Sequence, residues 1–174
     1  MVPLDDPDGE IDRETIIGNG ENIYSSLNNL YIANTNWQYH WRRGSNTSSE
    51  STRVYRFAID EDGIAFKAQG SVPGRILNQF SMDEYENHFR IATTKGEVWN
   101  EKTPSMNNLY SLNLNLEQVG AVENIAPGER IYSVRFMGDR TYMVTFKKVD
   151  PFFVIDTSDP TNPTILGKLK IPGY

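Results

Sequence analysis

The sequence of 174 residues contains no cysteine, which excludes disulfide bonds, thiolate catalysis and cysteine-based zinc sites. It has no apolar run of the ~20 residues that a membrane-spanning helix needs. Basic charge is scarce, because 17 Lys and Arg stand against 23 Asp and Glu and the net charge is -6. A nucleic-acid interface needs a basic stripe that displaces counterions from phosphates, and the sequence offers no basic run longer than a pair such as Arg42-Arg43. Nucleic acids and anionic membrane surfaces are therefore disfavoured as partners.

The sequence also lacks the motifs of common catalytic and cofactor sites. It has no Gly-x-Ser-x-Gly elbow and no glycine-rich phosphate loop. His40 and His88 have no carboxylate or second histidine at a metal-ligand spacing. The acidic groups Asp60–Asp62 and Asp83–Glu86 are expected in hairpin connections as solvated carboxylates, whereas a glycosidase needs two carboxylates facing each other. The sequence therefore predicts no catalytic residue, no metal site and no cofactor.

A short phrase, an apolar residue followed by Pro-Gly, occurs three times in the sequence. It appears as Val72-Pro73-Gly74, Ala126-Pro127-Gly128 and Ile171-Pro172-Gly173, with the prolines 54 and 45 residues apart. Each phrase follows runs in which polar and apolar residues alternate, as in half-buried strands. A repeat of this length built from strands is typical of the blades of a β-propeller. The sequence thus predicts an all-β fold, a partial β-propeller of about three four-stranded antiparallel blades plus one leading strand.

The repeats divide the chain into predicted segments. Residues 1–14 are expected to be an acidic tail or linker, and residues 15–174 a partial propeller that opens with a leading strand at Thr15–Gly18. The predicted blades span about residues 21–74, 75–128 and 129–173. The predicted strands are Asn22–Ser26, Leu30–Asn34, Thr52–Ile59 and Ile64–Val72; Ile76–Ser81, His88–Thr93, Asn108–Asn115 and Gln118–Ile125; and Ile131–Phe136, Thr141–Lys147, Phe152–Asp156 and Ile165–Ile171.

Three blades are too few for a closed ring, since propellers have about four to eight. The two end blades of an open arrangement would each expose an apolar sheet face. We therefore expect the chain to be a part of a longer protein, and we expect self-association through the open blade faces.

Several segments carry a resemblance to a known family. They are Val72–Glu84, Asp156–Pro163, Gly18–Tyr24 and the tryptophan-bearing first loop, and the resemblance extends over roughly Ile16 to Tyr174. These segments are similar to a family of secreted bacterial and archaeal β-propeller proteins that is described as distantly related to WD40 repeats. The resemblance implies a propeller fold and an extracellular or cell-envelope location, and it supplies no catalytic residues. The third strands lack the Trp-Asp ending of WD40 repeats, so functional analogy with WD40 proteins would rest on the fold alone.

One stretch, from Trp37 to Arg43, is rich in aromatic and basic residues. Trp37, Tyr39 and Trp41 alternate, so an extended backbone would place the three rings on one side. Such a row of rings stacks on a sugar face or anchors a protein partner, and the neighbouring Arg42 and Arg43 would grip a carboxylate. The alternative is that the rings extend a hairpin and pack on the next blade.

These observations predict a non-catalytic binding or scaffold module of a secreted or cell-surface propeller protein. Its partner would be another protein or a glycan. The first alternative is a fragment of an extracellular hydrolase whose active site needs further blades around a central channel. A purely structural role is the second alternative.

Overall fold

A computed structural model describes residues 15, 20–42, 45–61, 63–100, 102–147 and 151–170. These residues form three four-stranded antiparallel sheets, and within each sheet the strands lie side by side in chain order. The first sheet comprises β1 (Asn22–Ser25), β2 (Asn29–Arg42), β3 (Ser45–Asp60) and β4 (Gly63–Pro73); the second comprises β5 (Met82–Tyr85), β6 (His88–Lys95), β7 (Met106–Leu112) and β8 (Gln118–Ile125); the third comprises β9 (Arg130–Met137), β10 (Arg140–Phe146), β11 (Pro151–Asp156) and β12 (Thr164–Lys170). The predicted partial propeller with three four-stranded blades is confirmed.

Two predicted segments, the acidic tail and residues 16–19 of the predicted leading strand, lie outside the described residues. The described part of the chain contains no helix long and apolar enough to cross a membrane.

The predicted strand at Ile76–Ser81 is wrong. This segment ends in a 3₁₀ turn at Gln79–Ser81, and the first strand of the second sheet is β5. Asn78 causes the difference, because its side-chain oxygen accepts a hydrogen bond from the Phe80 N–H at 3.0 Å and caps the turn. The apolar residues of this segment therefore precede the strand instead of forming it.

Tight turns between the first two strands set a common register in all three sheets. Tyr85 pairs with His88, Met137 pairs with Arg140, and the Ser26 N–H donates to the Asn29 carbonyl at 2.9 Å. Counting from these turns, equivalent second-strand positions are held by Tyr31, Arg90 and Tyr142. Equivalent positions can thus be compared from sheet to sheet.

The core lies between neighbouring sheets, as expected when alternate side chains point to opposite faces. The first and second sheets enclose Tyr31, Ala33, Val54, Ala68, Val72, Ile76, Met82, Phe89, Ile91, Tyr110, Leu112 and Leu116. The second and third sheets enclose Ala92, Leu109, Ile125, Ile131, Val134, Met143, Phe153 and Ile155. The second sheet contributes to both clusters, so both of its faces are covered.

Two glycines let the outer turn of one sheet approach the last strand of the sheet before it. A Cβ atom at Gly70 in β4 would lie 2.4 Å from the carbonyl oxygen of Leu116, in the β7–β8 turn. A Cβ atom at Gly120 in β8 would lie 2.2 Å from the carbonyl oxygen of Pro160, in the β11–β12 loop. Real Cβ atoms do not come so close to backbone, so each contact requires glycine.

Candidate binding site at the tryptophan end of the sheets

The β2–β3 hairpin extends beyond the rest of the first sheet. The two strands stay paired from Asn29 and Ala58 to Arg42 and Ser45, whereas pairing with β4 begins only at Ser51. The sequence predicted a loop between Asn34 and Thr52, but this segment is mostly strand. Its threonines and aromatic residues favour the extended backbone. We call this hairpin extension, together with the loop at residues 96–105, the tryptophan end of the protein.

The predicted binding residues lie on this extension. Trp37, Tyr39, Trp41 and Arg42 all belong to β2, opposite Glu50, Ser48, Asn46 and Ser45 of β3. The Trp37 side chain is 48% exposed. Arg43 and the side chains of Tyr39, Trp41 and Arg42 lie outside the described part of the structure. The predicted row of three rings therefore stays a prediction, with its first ring located at the surface.

Glu50 joins the hairpin to the second sheet. Its side chain is only 5% exposed, and its carboxylate contacts the Arg75 Nη1 at 2.7 Å and accepts a hydrogen bond from the Gly96 N–H. The Arg75 guanidinium lies 6.0 Å from the centre of the Trp37 ring and 3.6 Å from the Glu97 carboxylate. A carboxylate this well buried is stable only when its oxygens are paired. The cluster therefore holds the Trp37 strand and the 96–105 loop in a defined relation.

Trp99 is a second exposed ring at this end, and it is not among the binding residues predicted from the sequence. It is 76% exposed, and the Lys147 ammonium lies 5.5 Å from the centre of its ring. The Asn100 side-chain oxygen shapes the loop by accepting from the Lys102 N–H at 3.1 Å and the Thr103 N–H at 3.2 Å. The available signal was position: Trp99 follows the second strand of its repeat, as Trp37 and Trp41 follow the predicted second strand of theirs.

A second candidate place for a ligand is a cavity of about 310 Å³ between the first strands of the three sheets. It is lined by Ile23, Tyr24, Ser25, Gln79, Phe80, Met82, Asp83, Arg135 and Phe136. The Arg135 guanidinium lies 4.4 Å from the centre of the Phe80 ring, and Arg135 also donates to its neighbour's carbonyl. The Asp83 carboxylate in this cavity is already bound by Arg90.

The expectation that Asp83 and Glu84 are solvated carboxylates in a hairpin connection is wrong. Both lie on β5. Glu84 accepts hydrogen bonds from the Tyr31 hydroxyl at 2.7 Å, the Ser26 hydroxyl at 2.9 Å and the Asn29 amide at 3.0 Å, all in the first sheet. Burial and this bond to Glu84 raise the pKa of Tyr31 well above its ordinary value. Glu84 therefore joins two sheets.

His88 also has a structural partner. The His88 Nδ1 lies 2.9 Å from the Glu86 carbonyl oxygen. Among the described residues, no group of three or more histidines and carboxylates could hold a metal ion. The hydrolase alternative stays an untested prediction.

Comparison with known proteins identifies similar sequences. A family model described as "Beta propeller domain" matches residues 1–174. An uncharacterized protein of Methanocaldococcus jannaschii is 51% identical over 116 residues, which cover 67% of this chain and 18% of that protein. An uncharacterized protein of Archaeoglobus fulgidus is 44% identical over 139 residues, which cover 79% of this chain and 21% of that protein. The chain thus spans about a fifth of the length of these archaeal relatives.

Proposed function

The chain belongs to the beta propeller domain family, and from this premise we propose that it is a non-catalytic binding module whose contact surface is the tryptophan end. The observation that carries the proposal is the position of Trp37 and Trp99 at one end of the sheets, with 48% and 76% of their surface exposed. Exposed tryptophans are rare enough on folded proteins that two at one end favour recognition over packing.

The groups around the two rings indicate the chemistry of the partner. Arg75 borders Trp37 and Lys147 borders Trp99, so each ring has a cation beside it. An indole ring stacks on the apolar face of a sugar or receives an apolar side chain, and Lys147 would pair with a carboxylate of the partner, whereas Arg75 already contacts Glu50 and Glu97. The partner is therefore a glycan with acidic groups or a protein segment that combines apolar and acidic side chains.

The location we propose is extracellular or at the cell envelope. The family resemblance supports this location. Surface biotinylation of M. jannaschii cells would test it. The relative should be recovered with the biotinylated membranes, whereas a cytoplasmic marker protein in the same fractions should not. Recovery of the relative only with the cytoplasmic marker would contradict it.

Titration of the tryptophan fluorescence tests the proposed surface with defined probes. We would use a hexamer of galacturonic acid as the acidic glycan and an Asp- and Leu-containing octapeptide as the protein segment. We expect one of them to shift the emission in a saturable manner and Trp99→Ala to weaken that binding at least tenfold, in line with the ~1–3 kcal/mol of a buried aromatic anchor. Cleavage of either probe would instead favour the hydrolase alternative.

The matched control is Leu27→Ala. Leu27 is 96% exposed in the β1–β2 turn, at the end of the sheets opposite the tryptophans. This variant should bind as the original chain does. Equal binding by the Trp99→Ala variant would contradict the proposed surface.

A further inference from the structure

The cavity between the first strands of the three sheets lies apart from the tryptophan end. Ser25 in its wall directly precedes the β1–β2 turn, and Arg135 lies close to the end of β9, before the β9–β10 turn. Trp37 and Trp99 lie at the other end of the sheets, toward which β2 and β6 run. A ligand in this cavity would therefore occupy a site separate from the surface proposed above.

One wall of the cavity carries a guanidinium that is held in place without a carboxylate. The Arg135 guanidinium lies 4.4 Å from the centre of the Phe80 ring, and its Nη1 donates to the Val134 carbonyl at 2.7 Å. Among the described residues, no carboxylate forms an ion pair with it. The ring and the carbonyl restrict this long side chain, so a ligand would have less of its freedom to remove. Most of the N–H donors of Arg135 stay available.

The Arg135 side chain turns toward the cavity. Arg135 pairs with Tyr142, so both side chains leave the third sheet on the face that points away from the second sheet. The Arg135 guanidinium nevertheless reaches the Phe80 ring, in the 3₁₀ turn that precedes β5 of the second sheet. The charged end therefore lies among the first strands of the sheets.

The carboxylate in the cavity wall leaves the charge of Arg135 unbalanced. Asp83 is bound by Arg90, whose Nε and Nη2 both donate to the Asp83 Oδ2. The Asp83 Oδ1 lies 3.5 Å from the Tyr24 hydroxyl. Asp83 and Arg90 cancel each other, and Arg135 leaves one positive charge. A single negative charge on a ligand balances it, whereas a second one would be repelled by Asp83.

The remaining walls of the cavity are largely apolar. Ile23 and Phe80 are 51% and 50% exposed, although both are large apolar side chains. Met82 and Phe136 complete this part of the wall. The volume of about 310 Å³ is at the lower end of the range for small-molecule sites, which favours a small ligand with an apolar body.

We propose that this cavity binds a small organic monocarboxylate. The carboxylate of the ligand accepts two parallel hydrogen bonds from the Arg135 guanidinium, a geometry that arginine favours. The apolar body of the ligand covers Ile23 and the exposed part of Phe80, which removes apolar surface of both partners from water.

Isothermal titration of the 174-residue chain with 3-phenylpropionate at neutral pH tests the proposal. We expect saturable binding at one site. 3-Phenylpropanamide has the same body without the charge and should bind at least tenfold more weakly, and phenyl phosphate should also bind more weakly because of its second charge. Equal binding of the acid and the amide, or tighter binding of phenyl phosphate, would overturn the proposal. Absence of saturable binding by the acid would overturn it as well and would leave Arg135 for a carboxylate from another part of a longer protein.

Arg135→Met locates the site. The Arg135 side chain is exposed, so circular dichroism should be unchanged, whereas binding of 3-phenylpropionate should weaken at least tenfold. Arg130→Met is the matched control, because Arg130 is also exposed on β9 but lies at the opposite end of that strand. Equal weakening in the two variants would show that net charge attracts the acid, and unchanged binding by Arg135→Met would remove the proposed contact; either result would overturn the proposal.

Trp99→Ala separates this site from the tryptophan end. This variant should bind 3-phenylpropionate as the original chain does, because Trp99 lies at the other end of the sheets. Loss of binding in this variant would place the acid at the tryptophan end and would overturn the assignment to the cavity.

Discussion

The contact between the first and second sheets and the contact between the second and third sheets place different chemistry at the same position. Tyr31 in the first contact stacks on Phe89 with ring centres 4.3 Å apart and donates its hydroxyl to Glu84. Its equivalent in the second contact is Arg90, which is 2% exposed. The Arg90 guanidinium binds the Asp83 carboxylate, and it donates to the Gly138 carbonyl at 2.7 Å and to the Thr157 hydroxyl at 3.0 Å.

The difference shows that the repeat keeps the same buried position between sheets, whereas the type of side chain at that position varies. A neutral aromatic ring is stable between sheets once its single hydroxyl has an acceptor. A buried guanidinium needs a carboxylate and further acceptors, and it gains from the Tyr85 and Phe136 rings at 4.9 and 5.2 Å. The second contact therefore depends more strongly on one side chain than the first does.

Removal of that side chain should have the largest effect. Arg90→Met removes the partner of the Asp83 carboxylate, which is 22% exposed, and of the Gly138 carbonyl, so we expect the free energy of unfolding to fall by about 3 kcal/mol, the low end for a buried pair. Urea unfolding followed by circular dichroism measures the change. Arg140→Met is the control, since the Arg140–Asp156 pair is partly exposed and should contribute less than about 1 kcal/mol. Similar losses in the two variants would show that burial of Arg90 does not set the difference.

Substitutions at the outer edges of the two contacts should lower the free energy of unfolding by similar amounts. Gly70→Ala and Gly120→Ala each push a Cβ atom into backbone of the next sheet, and we expect each to lower the free energy of unfolding by about 1–3 kcal/mol. Gly20→Ala is the control, because among the described residues its Cβ atom would meet the Ile32 side chain at an ordinary 3.6 Å and nothing closer. A neutral result at Gly120 with a loss at Gly70 would mean that the third sheet packs more loosely than the second.

A substitution in the first contact should lower the free energy of unfolding by less. Tyr31→Phe keeps the stack on Phe89 but removes the hydrogen bond to Glu84, and we expect a loss of about 1.5 kcal/mol at neutral pH. This is the low end for a bond to a charged group, because Glu84 keeps its other donors. The control is Tyr132→Phe, at a ring that is 64% exposed, which should change stability by less than about 0.5 kcal/mol. Equal losses in the two variants would refute the role of the hydroxyl.

Alkaline pH should narrow the gap between the original chain and the Tyr31→Phe variant. Because the pKa of Tyr31 is raised in the folded state, the unfolded chain loses this proton first, at about pH 10. The stabilisation is fully present below that pH and declines as the pH rises further. Unfolding curves at pH 8 and pH 11 would measure it, and a gap that widens at pH 11 would contradict the assigned direction.

The sequence predicted the strands best where polar and apolar residues alternate regularly between two turns. Gln118–Ile125 has the predicted bounds, because its alternation and its flanking turns are local signals. The start of the second sheet was missed because the Asn78 cap competes with an apolar run that resembles a strand. The long hairpin was missed because polar residues from Ser45 to Ser51 resemble a loop, although they pair with β2.

The candidate site was predicted in part. Trp37 lies at the surface as the binding hypothesis requires, but Trp99 was overlooked because no local pattern marks a single ring in a loop. The pairing of Glu50 with Arg75 and Gly96 was also invisible, since its members are 25 and 46 residues from Glu50. The arrangement of the β2–β3 hairpin and the 96–105 loop at the tryptophan end thus depends on contacts between the first and second sheets.

The sequence by itself determined the repeats, most of their strands and the Pro-Gly turns between them, since these follow from alternation and backbone preferences within a few residues. Only the tertiary structure decided which polar groups are buried and what they bind. Glu84 meets Tyr31 from 53 residues away, and Arg90 meets Thr157 from 67 residues away. The physical reason is that the partner which makes burial of a charge favourable comes from a neighbouring sheet, and its position is set only when the sheets pack.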